Sequence, residues 1–312
     1  MDFESGASAG RTVLVFGATG QQGGAVAHAL MAQGWPVRAL VRDPDSEKAR
    51  VLATAGVEVV KGDLSDKRSI ASAMRGAYGV FSIQPSSGQG AAYGVTDQDE
   101  IRYGKNIADI ADASGVQHLV YTSVAAAGRG PTGMGHFDSK SEIEAHVRRL
   151  NLASTIVRPH TFMEMLMLPG MGLDQGRFSF FMRPDQAMQF IAVDDIGKIV
   201  AAIFAGAERF AGRSIEIAGD QLTGTELADA FSKAANAKIV YTRFPESLLA
   251  ENAFLGRLAA LIDDGKFQGV SEIKAFGEEF GGLMSFAEWL QGPGSELFEK
   301  ARRPTAASIA LR

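Results

Sequence analysis

The stretch from Thr12 to Gly34 constrains this chain most. It opens with Thr12-Val-Leu-Val-Phe16, a short β-branched run suited to a buried strand and too short for a helix. Gly17-Ala-Thr-Gly20-Gln-Gln-Gly23 follows. The next residues, Gly24 to Gly34, place Val26, Ala29 and Leu30 at helical spacing, with Gly34 positioned to close the helix. In this order, Gly17 permits the turn off the strand, Gly20 lets backbone approach a diphosphate, and Gly23 lets the helix pack close on the sheet. Thr19, Gly20, Gln21 and Gln22 then surround the mouth of the helix, where free amides and the positive dipole end favour an anion. The alternative is a strand, turn and helix joined by flexible glycines. A glycine triplet alone is weak evidence, but in this context it predicts a dinucleotide site.

The same rhythm continues. Strands are expected at Pro36–Val41, Val57–Val60, Gly79–Ile83, His118–Thr122 and Ser154–Val157, and helices near Glu47–Ala55, Asp66–Arg75, Asp97–Ser114 and Phe137–Leu150. Residues 2–10 read as a loose tail and Gln84–Gly90 as a loop rich in breakers. Six strands alternating with helices predict a doubly wound parallel sheet of Rossmann type, with ligands at the carboxyl ends of the strands. Beyond Arg158-Pro159 the rhythm loosens. Strands at Arg177–Met182, Ala187–Val193, Ser214–Ala218 and Lys238–Thr242, a helix capped by Asp194, a Thr223-Gly-Thr-Glu226 capping box and helices over 246–291 suggest a smaller α+β lobe. The expected division is 11–158 for the nucleotide-binding domain and 159–291 for the smaller lobe, partly interleaved. The apolar run Phe162-Met-Glu-Met-Leu-Met-Leu168 is either core filler or the lining of an apolar cavity.

Composition narrows the function. A net charge of −5 offers no general attraction for nucleic acid or anionic lipid, and the absence of cysteine excludes thiolate catalysis and disulfides. The five histidines are scattered without zinc-clasping spacing, so no metal is expected. No secretion signal or run of 18 apolar residues is visible, so a cytoplasmic protein without a membrane span is expected. Arg42 stands just after the second strand, where an acidic residue would grip the ribose 2′-hydroxyl of NAD. An arginine there complements a 2′-phosphate and argues for NADP, although adjacent Asp43 leaves NAD as the alternative. Asp63, after the third strand, either reaches the adenine amino group or simply forms a turn beside Gly62.

The glycine motif, Val41-Arg42-Asp43-Pro44, Gly62-Asp63, Tyr121-Thr122-Ser123, His136-Phe137-Asp138-Ser139-Lys140 and Val193-Asp194-Asp195-Ile196-Gly197 together resemble the NmrA-like family of atypical short-chain dehydrogenases/reductases, over roughly residues 11–290. The resemblance implies an NAD(P)-dependent oxidoreductase acting on a quinone or similar apolar carbonyl or enone. The alternative is a non-catalytic NADP(H)-sensing regulator that binds a protein partner. It also implies Ser123, His136 and Lys140 as the catalytic group. His136 stands where catalytic members carry tyrosine, four residues before the lysine, and it either acts as the acid or points elsewhere. Lys140, on the pattern of isoflavone-reductase-type relatives that use lysine without tyrosine, would hold the nicotinamide ribose. Otherwise it pairs with Glu144 on the helix surface. Gln84, His160, Phe162 and Glu164, at the ends of strands four and six, are the substrate candidates. The expected partner is a small apolar substrate or a regulatory protein, with room for a homodimer and none for direct contact with nucleic acid.

Overall fold

The computed structural model describes residues 10–89, 94–265, 267, 269 and 272–304. The expected N-terminal tail (apart from Gly10) and Gly90 of the breaker-rich loop lie outside them. Two units emerge from the pattern of contacts. The first comprises residues up to Gly128 with Gly135–Arg158 and Ile196–Ile215; the second comprises Arg129–Met134, Pro159–Asp195 and the chain from Glu216 on. The expected boundary after Arg158 came with partial interleaving of the two parts, and the contacts group residues 196–215 with the first unit.

The first unit is built on strands β1 (Val13–Val15), β2 (Val37–Val41), β3 (Glu58–Lys61), β4 (Gly79–Ser82), β5 (His118–Thr122) and β6 (Ser154–Pro159). These alternate with helices α1 (Gln21–Ala32), α2 (Glu47–Thr54), α3 (Lys67–Met74), α4 (Asp97–Ala113) and α5 (Gly135–Val147). The sheet order β3-β2-β1-β4-β5-β6 reverses between β1 and β4, and the registered pairs from β1 through β6 are all parallel. In folds of this kind, ligands bind at the carboxyl ends of the strands where the order reverses, here β1 and β4.

Strand β1 is buried along its whole length, as are β4 and β5, because helices cover both faces of the sheet. Leu14, Phe16, Ile70, Val80, Ile107, Leu119, Tyr121 and Ile143 form one continuous core between sheet and helices. Local signals set the helix ends. The Asp66 side chain caps α3 through Arg68 N, and Thr96 and Asp99 close a reciprocal capping box on α4. A seventh strand, β10 (Ser214–Ile217), lies beside β6 at the sheet edge. The residues were read as a strand of the smaller lobe, but sequence spacing carries no information about which edge a strand joins.

The second unit contains β7 (Thr161–Phe162), β8 (Arg177–Phe180), β9 (Ala187–Ile191), β11 (Asp220–Thr223) and β12 (Val240–Arg243), in a three-stranded sheet β11-β9-β7 and a two-stranded pair β12-β8. Helix α6 (Val193–Ala205) starts one residue before Asp194, so Asp194 sits in its first turn and is not the cap expected. Short α7 (Ala207–Phe210) follows in the first unit. The second unit adds α8 (Gly224–Ala235), which carries the expected capping box, α9 (Glu246–Glu251), α10 (Ala253–Asp263), α11 (Ile273–Glu279), α12 (Phe286–Gln291) and α13 (Ser295–Ala301), the last unforeseen. Phe178, Phe180, Phe231, Phe286, Trp289 and Phe298 make an aromatic core. Met163, Leu166 and Met167 are buried in a 3-10 turn that packs on α13, so they serve as core filler.

Candidate functional site

At the β1–β4 reversal the chain leaves β1 through Gly17, whose φ of +63° is a left-handed conformation that glycine adopts without strain. Gly23 is held even more tightly: a Cβ there would lie 2.3 Å from Gly17 O and 2.8 Å from Ala18 N. It lets the first turn of α1 approach the backbone of Gly17 and Ala18, just beyond the end of β1. Gly20 caps α1 with no side-chain hydrogen bond, and the first turn holds no acidic residue. The amides of the first turn have no intrahelical acceptor in any helix, and here no side chain takes that place. Uncapped amides, a missing carboxylate and the absence of Cβ atoms at 17, 20 and 23 fit a diphosphate. Gln22 steadies the loop from behind, its Oε1 accepting a hydrogen bond from Thr122 Oγ1 at 2.9 Å. Thr19 and Gln21 flank the same turn, half-buried and exposed respectively.

Arg42 is exposed directly after β2, and it is near enough to Asp63 to help hold that carboxyl below its ordinary value. The larger causes are the hydrogen bonds from Ser65, whose N–H (2.8 Å) and hydroxyl (2.5 Å) both donate to Asp63 Oδ1. One oxygen of Asp63 thus serves a turn, as the simpler expectation had it. Asp43 Oδ1 likewise accepts from Asp45 N at 3.0 Å.

Lys140, on α5, reaches back under the loop after β4. Its ammonium donates to Glu100 Oε1 in a tight ion pair, to Ser86 Oγ at 3.1 Å and to His136 O at 3.1 Å. Glu100, 1% exposed, also accepts from Ser86 Oγ and Ser87 N, each at 3.2 Å. Lys140 therefore does not pair with Glu144, as one expectation held. Glu144 is fully buried and bound by Arg158 and Arg148. Burial works to raise the Glu144 carboxyl, yet Arg158 and its other partners outweigh it and hold the group below its ordinary value. The His136 ring lies against Gly88, and burial followed by the charge of Lys140 pushes its pKa down to about 4. At neutral pH the ring is uncharged, which removes imidazolium as the standing acid. Ser123 faces Glu144, buried, with its hydroxyl lacking a hydrogen-bond partner of good geometry. Lys140 and His136 are thus joined, while Ser123 belongs to the Glu144–Arg158 group. Gln84, at the start of the loop, is buried and donates to Ser82 Oγ at 2.8 Å.

In the second unit, His160 is buried with its Nε2 lacking a hydrogen bond of good geometry, 3.8 Å from Glu216 Oε2. Phe162 ends β7, half-buried. Glu164 Oε1 accepts from Val193 N at 3.1 Å and so caps α6, whereas its Oε2 is buried without a hydrogen bond of good geometry. Burial raises this carboxyl above its ordinary value.

Sequence reasoning missed Glu100 and Ser86. A signal for Glu100 was present: it precedes Gly104, Ala108 and Ala111 at helical spacing, on the face read as buried. A carboxylate on such a face needs a cation.

The reversed parallel sheet and its uncapped, glycine-built helix mouth define a Rossmann-type dinucleotide-binding domain. The family model for NmrA-like proteins matches residues 9–288, and the chain belongs to the NmrA-like family. An NmrA-like family domain-containing oxidoreductase, FrzB of Cladobotryum sp, is 32% identical over 256 residues, covering 73% of this chain and 75% of that protein. Among solved structures, NmrA, a negative transcriptional regulator in complex with NADP, superposes with a TM-score of 0.76 at 22% identity, covering 93% of this chain and 97% of that one. The Escherichia coli NADPH-dependent quinone oxidoreductase complexed with NADPH gives a TM-score of 0.72 at 25% identity, with 89% and 98% covered.

Proposed function

We propose that this protein is an NADP(H)-dependent oxidoreductase that reduces a quinone or similar apolar carbonyl compound. The observation that carries the reading is the mouth of α1, where the first-turn amides meet neither a side-chain cap nor an acidic residue. Those amides take the diphosphate, and exposed Arg42 takes the 2′-phosphate. Lys140, aimed by Glu100, takes a ribose hydroxyl near the reacting ring. The reduced nicotinamide, when bound, supplies the hydride. Relatives named as oxidoreductases and a neighbour named as an NADPH-dependent quinone oxidoreductase support the substrate class. A quinone oxygen can take its proton from water, so a neutral His136 in the tyrosine position is no obstacle.

One observation favours a second reading, a regulator that binds NADP(H) without turnover: Lys140 has its donors engaged within the protein and no tyrosine accompanies it. A structural neighbour is named as a negative transcriptional regulator in complex with NADP. Incubation of the purified protein with NADPH and a panel of quinones, following loss of nicotinamide absorbance, separates the two. Turnover that disappears in Lys140→Ala supports the enzyme. Tight NADPH binding with no turnover supports the regulator, and absence of binding removes both.

A further inference from the structure

An ammonium group has three hydrogens, and Lys140 has placed all three on acceptors of its own chain: Glu100 Oε1, Ser86 Oγ and His136 O. Any ligand oxygen bound by Lys140 must replace one of these. The three acceptors are unequal. The Glu100 carboxylate is charged and 1% exposed, so its bond to the lysine is charge-assisted and unscreened by water. His136 O belongs to the preceding turn of the same helix and moves only with it. Ser86 Oγ is a neutral hydroxyl on a half-buried loop, the same chemical group as a ribose hydroxyl.

We propose that Glu100 is the positioning residue that aims Lys140 at the nucleotide, and that Ser86 Oγ occupies the place of a ribose hydroxyl until the nucleotide displaces it. The inference rests on the NADP(H) reading above. Glu100 suits this role because its two oxygens do different work. Oε1 holds the lysine, while Oε2 accepts from Ser86 Oγ and Ser87 N, so the displaced hydroxyl keeps an anchor. The Gly88 N–H donates to Ser86 Oγ at 3.3 Å and ties the loop to the same point. Losing Ser86 removes a competitor for Lys140, whereas losing the Glu100 charge leaves Lys140 free to turn away. The two changes therefore act on affinity in opposite directions, which a shared structural role would not produce.

The test titrates NADPH, followed by its own fluorescence, into wild type, Ser86→Ala and Glu100→Gln. Amide hydrogen exchange at Ser87 and Gly88 is measured in parallel on the nucleotide-free proteins. Ser86→Ala is expected to bind NADPH at least twofold tighter and Glu100→Gln at least tenfold weaker, with faster exchange at Ser87 in the latter. Unchanged or weaker binding by Ser86→Ala, or wild-type affinity in Glu100→Gln, overturns the proposal. Should Glu100→Gln fail to fold, the sign of the Ser86→Ala change decides alone. If wild type binds no NADPH, both readings of the function fail, independently of Glu100. Exchange then judges only the hold of Glu100 on the loop, and unchanged protection of Ser87 in Glu100→Gln overturns that hold.

Discussion

Arg158 grips Glu144 at both carboxylate oxygens, Nε to Oε1 at 2.9 Å and Nη2 to Oε2 at 2.6 Å, with the carboxylate fully buried. Arg148 adds a third bond at 2.6 Å. Removing one partner of such a pair strands a buried charge. Arg158→Met is therefore expected to cost about 3–5 kcal/mol of stability at neutral pH, measured by urea unfolding. Because the Glu144 carboxyl is held below its ordinary value, its contribution is present above the ordinary carboxylate range and is lost as pH falls through it. The difference between wild type and Arg158→Met should shrink on acidification, and a constant difference would refute the assignment.

Gly23→Ala tests the nesting of α1 on its loop. A Cβ at 2.3 Å from Gly17 O has no flexible neighbour to push aside, since the contact is backbone. The loop must open, with a loss of about 1–3 kcal/mol. Binding of NADPH should fall by more than the stability change alone explains, and calorimetric titration of the folded variant measures it. Wild-type affinity would show that this turn does not hold the diphosphate.

Arg42 tests the choice between phosphorylated and plain nucleotide. Arg42→Ala is expected to weaken NADPH by about tenfold or more, the worth of a charge-assisted contact, while leaving NADH within about twofold. Comparing the two dissociation constants in wild type and variant is sufficient. Equal affinities in the wild type would move the assignment to NAD, with Asp43 as the residue to examine next.

His118 governs acid stability. Thr155 Oγ1 donates its one hydrogen to Phe210 O at 2.8 Å, so the bond between His118 Nε2 and Thr155 Oγ1 at 2.9 Å takes its hydrogen from the ring. The proton therefore sits on Nε2, and burial pushes the ring's pKa from 6.5 to about 4, so the ring is neutral at pH 7. Between these values the unfolded chain binds more protons than the folded one, so stability falls as pH drops through that window. The loss from this one group is about 3 kcal/mol. Urea unfolding from pH 7 to pH 4 should show a shallower decline in His118→Gln, and identical slopes would contradict the assignment.

Legibility in the sequence followed the range of the interaction. The strand His118–Thr122 was predicted to the residue, and the capping box that starts helix α8 lies within four consecutive residues of the chain. These features are set by neighbours. The placement of β10 beside β6 and the membership of residues 196–215 in the first unit depend on distant pairings that periodicity does not encode. The candidate site divides in the same way. The positions of Gly17, Gly23, Arg42 and Lys140 were readable, whereas their partners were not. Lys140 had Glu144 at the favoured spacing of four, yet it reaches across 40 residues to Glu100 because Arg158 already neutralises Glu144. A surface-helix rule assumes solvent around both groups, and here both carboxylates are buried.

The bond between Gln22 and Thr122 spans 100 residues of chain and joins the first helix to the tip of the fifth strand. The loop proposed to hold the diphosphate is therefore not a self-sufficient local motif that can mature as soon as it leaves the ribosome. Its back wall arrives only when the middle of the sheet has closed. If that loop takes the nucleotide as proposed, its capture reports on a finished sheet, and a lesion that loosens β5 is expected to register as weakened nucleotide binding even though it touches no ligand.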